Sequence, residues 1–273
     1  MIAEIIEILD AEMAEPGLFG WFHNLWLIIT AAATILLCRF CKAGTSKQVC
    51  AVVLSVALAV IFLEVYKQIN YTFTVDDQGK IQSDYQWYAF PFQFCSTPMY
   101  VGLLAGLIRK GKVHQSLCAY LATYAVFAGA AVMIYPGDVF VKTIGINIQT
   151  MICHGSMITV GIYLLYTGYV KLEHKTILQA MPVFAVTVAM AAVMNELAYV
   201  TGLLETDTFN MFFVSRHCES TLPIYGAVHE AVPFPLNLVI YILGFTVAAY
   251  VILLLAMGVK KIAQKSKRQA ITA

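Results

Sequence analysis

Charged side chains are scarce in this chain. Only 12% of its 273 residues are charged, whereas 60% are apolar, and an ordinary soluble domain has about 25% charged residues. This composition excludes a soluble globular protein and indicates an integral membrane protein. The formal net charge of +1 also lacks the basic excess that nucleic-acid binding needs. We therefore expect membrane lipids as partners and no nucleic acid.

Several functional signatures are absent as well. The first fifteen residues hold five acids and no Lys or Arg, so they lack the basic region of a cleavable signal peptide, and we expect the first apolar segment to be retained. The connection before the last helix contains four residues for which zinc could be considered: His217, Cys218, His229 and Glu230. It has no Cys-x-x-Cys or His-Glu-x-x-His spacing, so we predict no metal or cofactor. The last apolar segment has no Lys before Lys260, which excludes a retinal protein.

Long apolar runs are abundant. Crossing a hydrocarbon core of ~30 Å takes about 20 helical residues, and seven runs have roughly that length: 21–39, 48–69, 92–108, 115–134, 148–170, 177–201 and 236–259. The sequence therefore predicts an all-α, polytopic membrane protein with seven transmembrane helices. The predicted organisation is an acidic amphipathic segment (1–18), a seven-helix domain (19–260) and a basic tail (261–273).

The basic residues are distributed unevenly between the two sets of connections. Thirteen of the 17 lie in the turns near 39–47, 109–112 and 171–175 or in the tail, and the other four are Lys67, Lys80, Lys142 and Arg216. The positive-inside rule then predicts that the N-terminus is outside and the C-terminus is cytoplasmic. The long connections 70–90, 135–147 and 202–235 fall on the outer side, where we expect the functional site.

Polar side chains recur at one depth near the outer ends of the runs. The segment 88–107 opens with Gln93, Cys95, Ser96 and Thr97, which in hydrocarbon should point into the bundle. Similar depths are predicted for five residues on three other helices: Glu64, Gln149, His154, Asn195 and Glu196. Because such residues are costly in a membrane and normally pair or line a cavity, their common depth predicts one shared polar site.

A Cys and a His in one site can perform acyl transfer, in which the imidazole takes the thiol proton and the thiolate attacks a carbonyl carbon. We predict that Cys95 is the nucleophile and His154 its base, with the sulfur about 3–5 Å from a ring nitrogen. Glu64 or Glu196 would orient the imidazole, and three amides are candidate oxyanion donors: Gln93, Gln149 and Asn195.

Each of these residues also has a purely structural explanation. A membrane-helix Cys often serves only in packing, a His can bond a neighbouring helix, and Glu64 can pair with Lys67. We expect the remaining thiols of the helices to be packing residues: Cys38, Cys41, Cys50, Cys118 and Cys153. Cys153 adjoins His154, but neighbouring helical positions point about 100° apart and do not form a productive pair.

Short segments spread over the chain carry a resemblance to a known family. They include Glu64-Val65 with Lys67, Cys95 after a Pro-containing entry, Ile148-Gln149 with His154, Gly161 to Leu165, Gly202-Leu203, Asn210-Met211, and Pro223 with Tyr225-Gly226. In their order and spacing they resemble the YwaF-like and transmembrane-protein-164 acyltransferase family of integral membrane proteins. The resemblance implies a seven-helix fold and transfer of a fatty acyl chain between phospholipids through a Cys acyl-enzyme, with Cys95 as nucleophile and His154 as base. It adds Asn210 to the supporting residues.

This sequence departs from the family pattern at Ser96 and at Asn195-Glu196, which alters the surroundings of the site. The leading hypothesis is a phospholipid acyltransferase or transacylase that acts on phospholipids and lysophospholipids in a bacterial cell membrane, or in the endoplasmic reticulum of a eukaryote. If water accepted the acyl group, the same site would be a lipase or thioesterase. The alternative is a transporter or lipid-binding membrane protein whose polar cluster is structural, and a ligand receptor is a more remote option.

Overall fold

The computed structural model describes residues 1–41, 45–137, 139–202 and 208–272. Lys42 and Leu203, which entered the charge count and the family resemblance, lie outside the described residues. Ten helices account for most of the rest: α1 (Ile2–Leu9), α2 (Trp21–Phe40), α3 (Ser46–Asn70), α4 (Thr97–Leu107), α5 (Gly111–Ala122), α6 (Tyr124–Ile134), α7 (Ile144–Tyr166), α8 (Lys175–Thr201), α9 (Tyr225–Ala231) and α10 (Leu236–Thr272). A hairpin of β1 (Phe73–Val75) and β2 (Ile81–Ser83) follows α3.

Six helical segments within the described residues are long and apolar enough to cross a membrane. Five are the single helices α2, α3, α7, α8 and α10, and the sixth joins α5 to α6 over Gly111–Ile134. At the junction the Thr123 hydroxyl donates to the Ala119 carbonyl over 2.7 Å, a back-bond that often bends helices. The membrane-protein class and the all-α fold are thus as predicted, whereas the count of full-length spans is six.

The third predicted run, 92–108, is helical only from Thr97 to Leu107. Pro98 occupies the first turn of α4, where a missing N–H is harmless. An earlier helix start would place Pro98 in the helix interior, where proline removes a hydrogen bond and kinks or breaks the helix. With 11 residues, α4 is about 16 Å long. The chain before it, residues 90–96, forms turns and non-regular backbone.

The connections contain short elements of their own. The amphipathic N-terminal helix ends at Leu9, and Glu12 then forms an isolated antiparallel bridge with Thr143. The long connection after α8 contains a 3-10 turn at Met211–Phe213 and the short helix α9.

Close helix contacts define the two ends of the bundle. α3 and α4 run antiparallel, and a Cβ on Gly106 would lie 3.0 Å from the Leu54 Cα, so only glycine allows this approach. We call the end at which α3 finishes and α4 and α7 begin the site end, where Gln149 reaches Glu64. We call the opposite end the basic end, where Ser46 contacts Arg109.

Candidate functional site at the site end of the bundle

Cys95 lies in the non-helical segment directly before α4. Irregular backbone at membrane depth is tolerated only where protein buries it or where it lines a cavity. The Cys95 side chain is partly exposed, whereas the nearby Cys153 is buried. The Cys153 thiol is 3.8 Å from the Cys95 carbonyl oxygen, to which it donates. Cys95 is therefore the more accessible of two neighbouring thiols.

His154 is buried in α7 with 5% of its surface exposed. Its Nδ1 lies 2.7 Å from the Thr150 carbonyl oxygen, and because a carbonyl only accepts, Nδ1 carries the proton. Nε2 is therefore the nitrogen with the free lone pair, and it has no hydrogen-bond partner in the described structure. No hydrogen bond joins it to the Cys95 sulfur in the described structure.

Glu64 is held by three donors, none of which is a histidine. Its carboxylate accepts from Lys67 at 2.9 Å, from Gln68 at 2.7 Å and from Gln149 at 3.2 Å. Tyr85 extends the network by donating to Gln68 over 2.5 Å. The structural explanation of Glu64, pairing with Lys67, is confirmed, and the expectation that Glu64 orients His154 is wrong for this structure. The Thr150 carbonyl takes that place.

The Glu196 carboxylate also pairs with residues other than His154. It pairs with Arg216 at 2.8 Å and with His217 at 3.3 Å near the surface of the site end. It does not reach His154, so it does not fill the orienting role either. His229 bonds the Ser215 carbonyl, and the described residues include no group of three or more Cys, His, Asp or Glu side chains that could hold a metal ion.

Two predicted amide donors instead hold a buried segment, residues 209–215, which we call the plug. Asn195 donates to the Met211 carbonyl and accepts from the Met211 N–H. Gln93 donates to the Asn210 carbonyl and accepts from the Phe212 N–H. Asn210 in turn accepts from the Ser215 N–H and donates to the Glu219 carbonyl. These amides satisfy the backbone of the plug and are not free to bind an oxyanion.

The plug covers the segment that carries Cys95. Phe212 is fully buried, and its ring contacts those of Phe92, Phe94 and Phe184. Phe212 and Phe213 have positive φ values of 58° and 57°, an uncommon conformation for aromatic residues. Sequence analysis missed the plug. Its apolar composition was visible, but the predicted loop gave no sign of burial.

An apolar groove of about 630 Å³ opens between α4, α5 and α8. Phe92, Thr97 and Tyr100, which flank Cys95 in sequence, line its site end, and Lys112 lies at its other end. The rest of the wall is almost entirely apolar, including Leu104, Val113, Pro182, Val183, Val186 and Met190. Its shape and lining suit a hydrocarbon chain.

A family model described as the TMEM164 family matches residues 18–257 of this chain. The match covers all six candidate membrane-spanning helices up to residue 257, as well as α4 and the plug. Comparison with curated proteins gives no match, and comparison with solved structures gives none either.

Proposed function

This chain belongs to the TMEM164 family, and we propose that it is a seven-span phospholipid acyltransferase or transacylase that works through a Cys95 acyl-enzyme. The observation that carries the proposal is the state of His154. Its Nδ1–H is fixed on the Thr150 carbonyl, which leaves a buried, unpartnered Nε2 lone pair. A general base needs this tautomer.

The proposed reaction has two balanced halves. In the first, Nε2 of His154 takes the Cys95 thiol proton, the sulfur bonds to the ester carbonyl carbon, and the ester C–O bond breaks. The imidazolium gives its proton to the departing oxygen, which leaves as a lysophospholipid hydroxyl. In the second, the hydroxyl of an acceptor lysophospholipid loses its proton to Nε2 and attacks the thioester, and Cys95 recovers the proton. Water as acceptor would make the product a free fatty acid.

The proposal requires Cys95 and His154 to meet when substrate is bound, because no hydrogen bond joins the two side chains in the described structure. Catalytic hydrogen bonds are often long before substrate binds. The groove beside Phe92 and Tyr100 would hold the acyl chain, so that the ester carbonyl lies at the Cys95 segment. The polar headgroup would then project towards the interface at the site end.

A second candidate, a lipid-binding or transport protein with a structural polar cluster, is favoured by one specific observation. Glu64, Gln93 and Asn195 all use their polar atoms in bonds that hold the fold together. In that case Cys95 would be only a packing residue, and it would form no covalent adduct.

The deciding experiment is incubation of the purified protein with a phospholipid that carries a fluorescent acyl chain, followed by intact-mass and peptide mass spectrometry. We expect one acyl group on Cys95, released by hydroxylamine as a thioester. Cys153→Ala is the matched control, because Cys153 lies next to the Cys95 carbonyl but is buried. It should still be labelled, whereas Cys95→Ala should not.

Labelling of Cys153, or equal labelling of all three proteins, would overturn the acyl-enzyme. Lipid binding without any adduct would favour the second candidate. The acyl-enzyme is then incubated with a lysophospholipid or in buffer alone. Formation of a phospholipid identifies a lysophospholipid acceptor, and release of a free fatty acid identifies water as the acceptor.

A further inference from the structure

A second cavity lies at the basic end, on the far side of the bundle from Cys95. It has a volume of about 560 Å³, and its wall is mainly polar. Four basic side chains line it, against one acid: Arg109, Lys110, Lys171, Lys175 and Glu173. Such an excess of positive charge in a concave site favours an anion.

The wall of this cavity holds a chain of hydrogen bonds that runs from the buried His114 to the exposed Arg109 carbonyl. His114, which is 3% exposed, contacts the Ala105 carbonyl through Nδ1 at 3.0 Å and the Tyr169 hydroxyl through Nε2 at 2.6 Å. The Tyr169 hydroxyl is 2.8 Å from the Ser46 hydroxyl, and Ser46 is 2.9 Å from the Arg109 carbonyl. Four contacts therefore link two carbonyls through one imidazole and two hydroxyls.

Counting hydrogens shows which state of His114 completes this chain. A neutral imidazole has one N–H, and with one hydrogen on each hydroxyl there are three hydrogens for four contacts. The imidazolium adds the fourth. Nδ1–H then donates to Ala105, Nε2–H to Tyr169, the Tyr169 hydroxyl to Ser46, and Ser46 to the Arg109 carbonyl. All four contacts are satisfied only when His114 is protonated.

A protonated His114 is a buried positive charge beside four basic side chains, and a buried charge is costly without a counter-ion. The Cys118 sulfur lies 3.6 Å from the His114 Nε2. As a neutral thiol, Cys118 carries no negative charge that could offset the imidazolium. Glu173 is exposed, as are the four basic side chains, and it can offset only one of their charges. An anion inside the cavity would balance both the imidazolium and the lysines.

We propose that this cavity binds a phosphate-type anion, and that its binding is coupled to protonation of His114. The anion could be the phosphate of an acidic phospholipid headgroup or a free phosphate, since both present the same oxygens to Arg and Lys. The site is separate from Cys95, and the proposal does not rest on acyl transfer.

Coupling fixes the direction of the pH dependence. The anion binds better to the protonated form of His114, so its affinity rises as pH falls, and anion binding equally favours protonation. Sulfate is the suitable probe because its charge does not change between pH 5.5 and 8. We expect its dissociation constant to rise about tenfold over that interval, within the usual range of coupling between sites.

The affinity is measured by thermal stabilisation of the full-length protein in a zwitterionic detergent, with sulfate titrated at constant ionic strength. Lys171→Gln combined with Lys175→Gln should weaken sulfate binding at least tenfold. Lys260→Gln combined with Lys261→Gln is the matched control, because it removes two exposed charges of α10 that do not line the cavity. If the two double variants weaken sulfate binding equally, the basic cavity is not the sulfate site.

The coupling is tested with Tyr169→Phe, which removes the acceptor of the His114 Nε2–H and keeps the ring. Its sulfate affinity should change less than twofold between pH 5.5 and 8. The nearby His174 bonds Tyr250, and His174→Asn should keep the full pH dependence. If Tyr169→Phe keeps the pH dependence of sulfate affinity, or if His174→Asn abolishes that pH dependence, the proposal that anion binding is coupled to His114 is wrong.

The source of the anion is resolved by comparing nanodiscs of phosphatidylcholine alone with nanodiscs that contain phosphatidic acid. Stabilisation by phosphatidic acid but not by inorganic phosphate assigns a lipid headgroup, and the converse assigns a free ion. If sulfate, phosphate and phosphatidic acid all fail to stabilise the protein, the cavity is not an anion site.

Discussion

His154 has its chemical state set by a single backbone contact. The Thr150 carbonyl holds the proton on Nδ1, so a substitution that keeps this bond should separate folding from chemistry. In His154→Asn, the amide nitrogen can still donate to Thr150, but no group replaces Nε2.

We expect His154→Asn to fold and to bind phospholipid normally, and to lose about a hundredfold or more in the rate of Cys95 acylation, the usual size of a general-base contribution. The measurement is the rate of adduct formation by intact mass. His174→Asn, which alters an exposed histidine at the opposite end of the bundle, should leave that rate unchanged. An unaltered rate in His154→Asn would remove His154 from the mechanism.

The two acids at the site end should differ sharply in their contribution to stability. Glu64 is 5% exposed and accepts from Lys67, Gln68 and Gln149. Glu64→Ala would leave the Lys67 ammonium without its partner, and breaking a buried pair in this way costs ~3–5 kcal/mol.

The matched control is Glu196→Ala, whose carboxylate is 28% exposed and pairs with an Arg216 side chain that is 52% exposed. An exposed pair of this kind contributes at most ~1 kcal/mol. Thermal unfolding in detergent should therefore show a much lower midpoint for Glu64→Ala than for Glu196→Ala. Similar midpoints would show that the Glu64 network is not a major contribution to stability.

At the residue scale, sequence predicted which polar groups are buried but not which of them meet. Glu64 and Gln149 were placed at one depth, and they are in contact. His154 was placed there too, but depth fixes only the position along a helix axis. Gln149 and Cys153 are four residues apart and share a face of α7, whereas His154 points about 100° away from Cys153.

At the scale of elements, the plug depends on side chains far from it in sequence. Asn195 satisfies both the N–H and the carbonyl of Met211, and Asn195→Ala would leave two buried backbone groups without partners. Each such group costs ~1–3 kcal/mol, so the plug should open locally before the helices unfold.

Hydrogen-deuterium exchange with mass spectrometry tests this expectation. In Asn195→Ala, the amides of residues 209–215 should exchange much faster, while those of α7 keep their protection. Asn24→Ala is the control, because Asn24 is exposed and bonds only the local Phe19 carbonyl. Unchanged exchange across 209–215 would show that other contacts, such as the Phe212 ring packing, hold the plug alone.

The plug and α4 show where element prediction failed. Long apolar runs predicted the six spanning segments because the bilayer leaves few alternatives to a helix. The start of α4 was placed too early, since an apolar run was weighed above the break imposed by Pro98. The plug could not be foreseen, because Gln93 lies 119 residues from Phe212, whose N–H it binds.

At the scale of the whole molecule, the contacts separate the two ends of the bundle, and the distribution of basic residues predicts which side of the membrane each end faces. The site end carries Glu64, Cys95 and the β1–β2 hairpin, and the basic end carries Ser46, Arg109 and Lys171. The positive-inside rule predicts that the basic end is cytoplasmic. In that orientation the acyl-transfer site would open to the outer leaflet and the anion cavity to the inner one.

Impermeant maleimide labelling of intact cells tests this orientation. Gln78→Cys, in the exposed turn between β1 and β2, should react in intact cells, whereas Lys265→Cys at the exposed end of α10 should react only after the membrane is opened. Both variants need a background in which the four partly exposed native thiols are replaced by alanine: Cys38, Cys41, Cys95 and Cys218. The reverse pattern would place Cys95 on the cytoplasmic side and the basic cavity on the outer side, so that the cavity would take its anions from the outer leaflet or the outside solution.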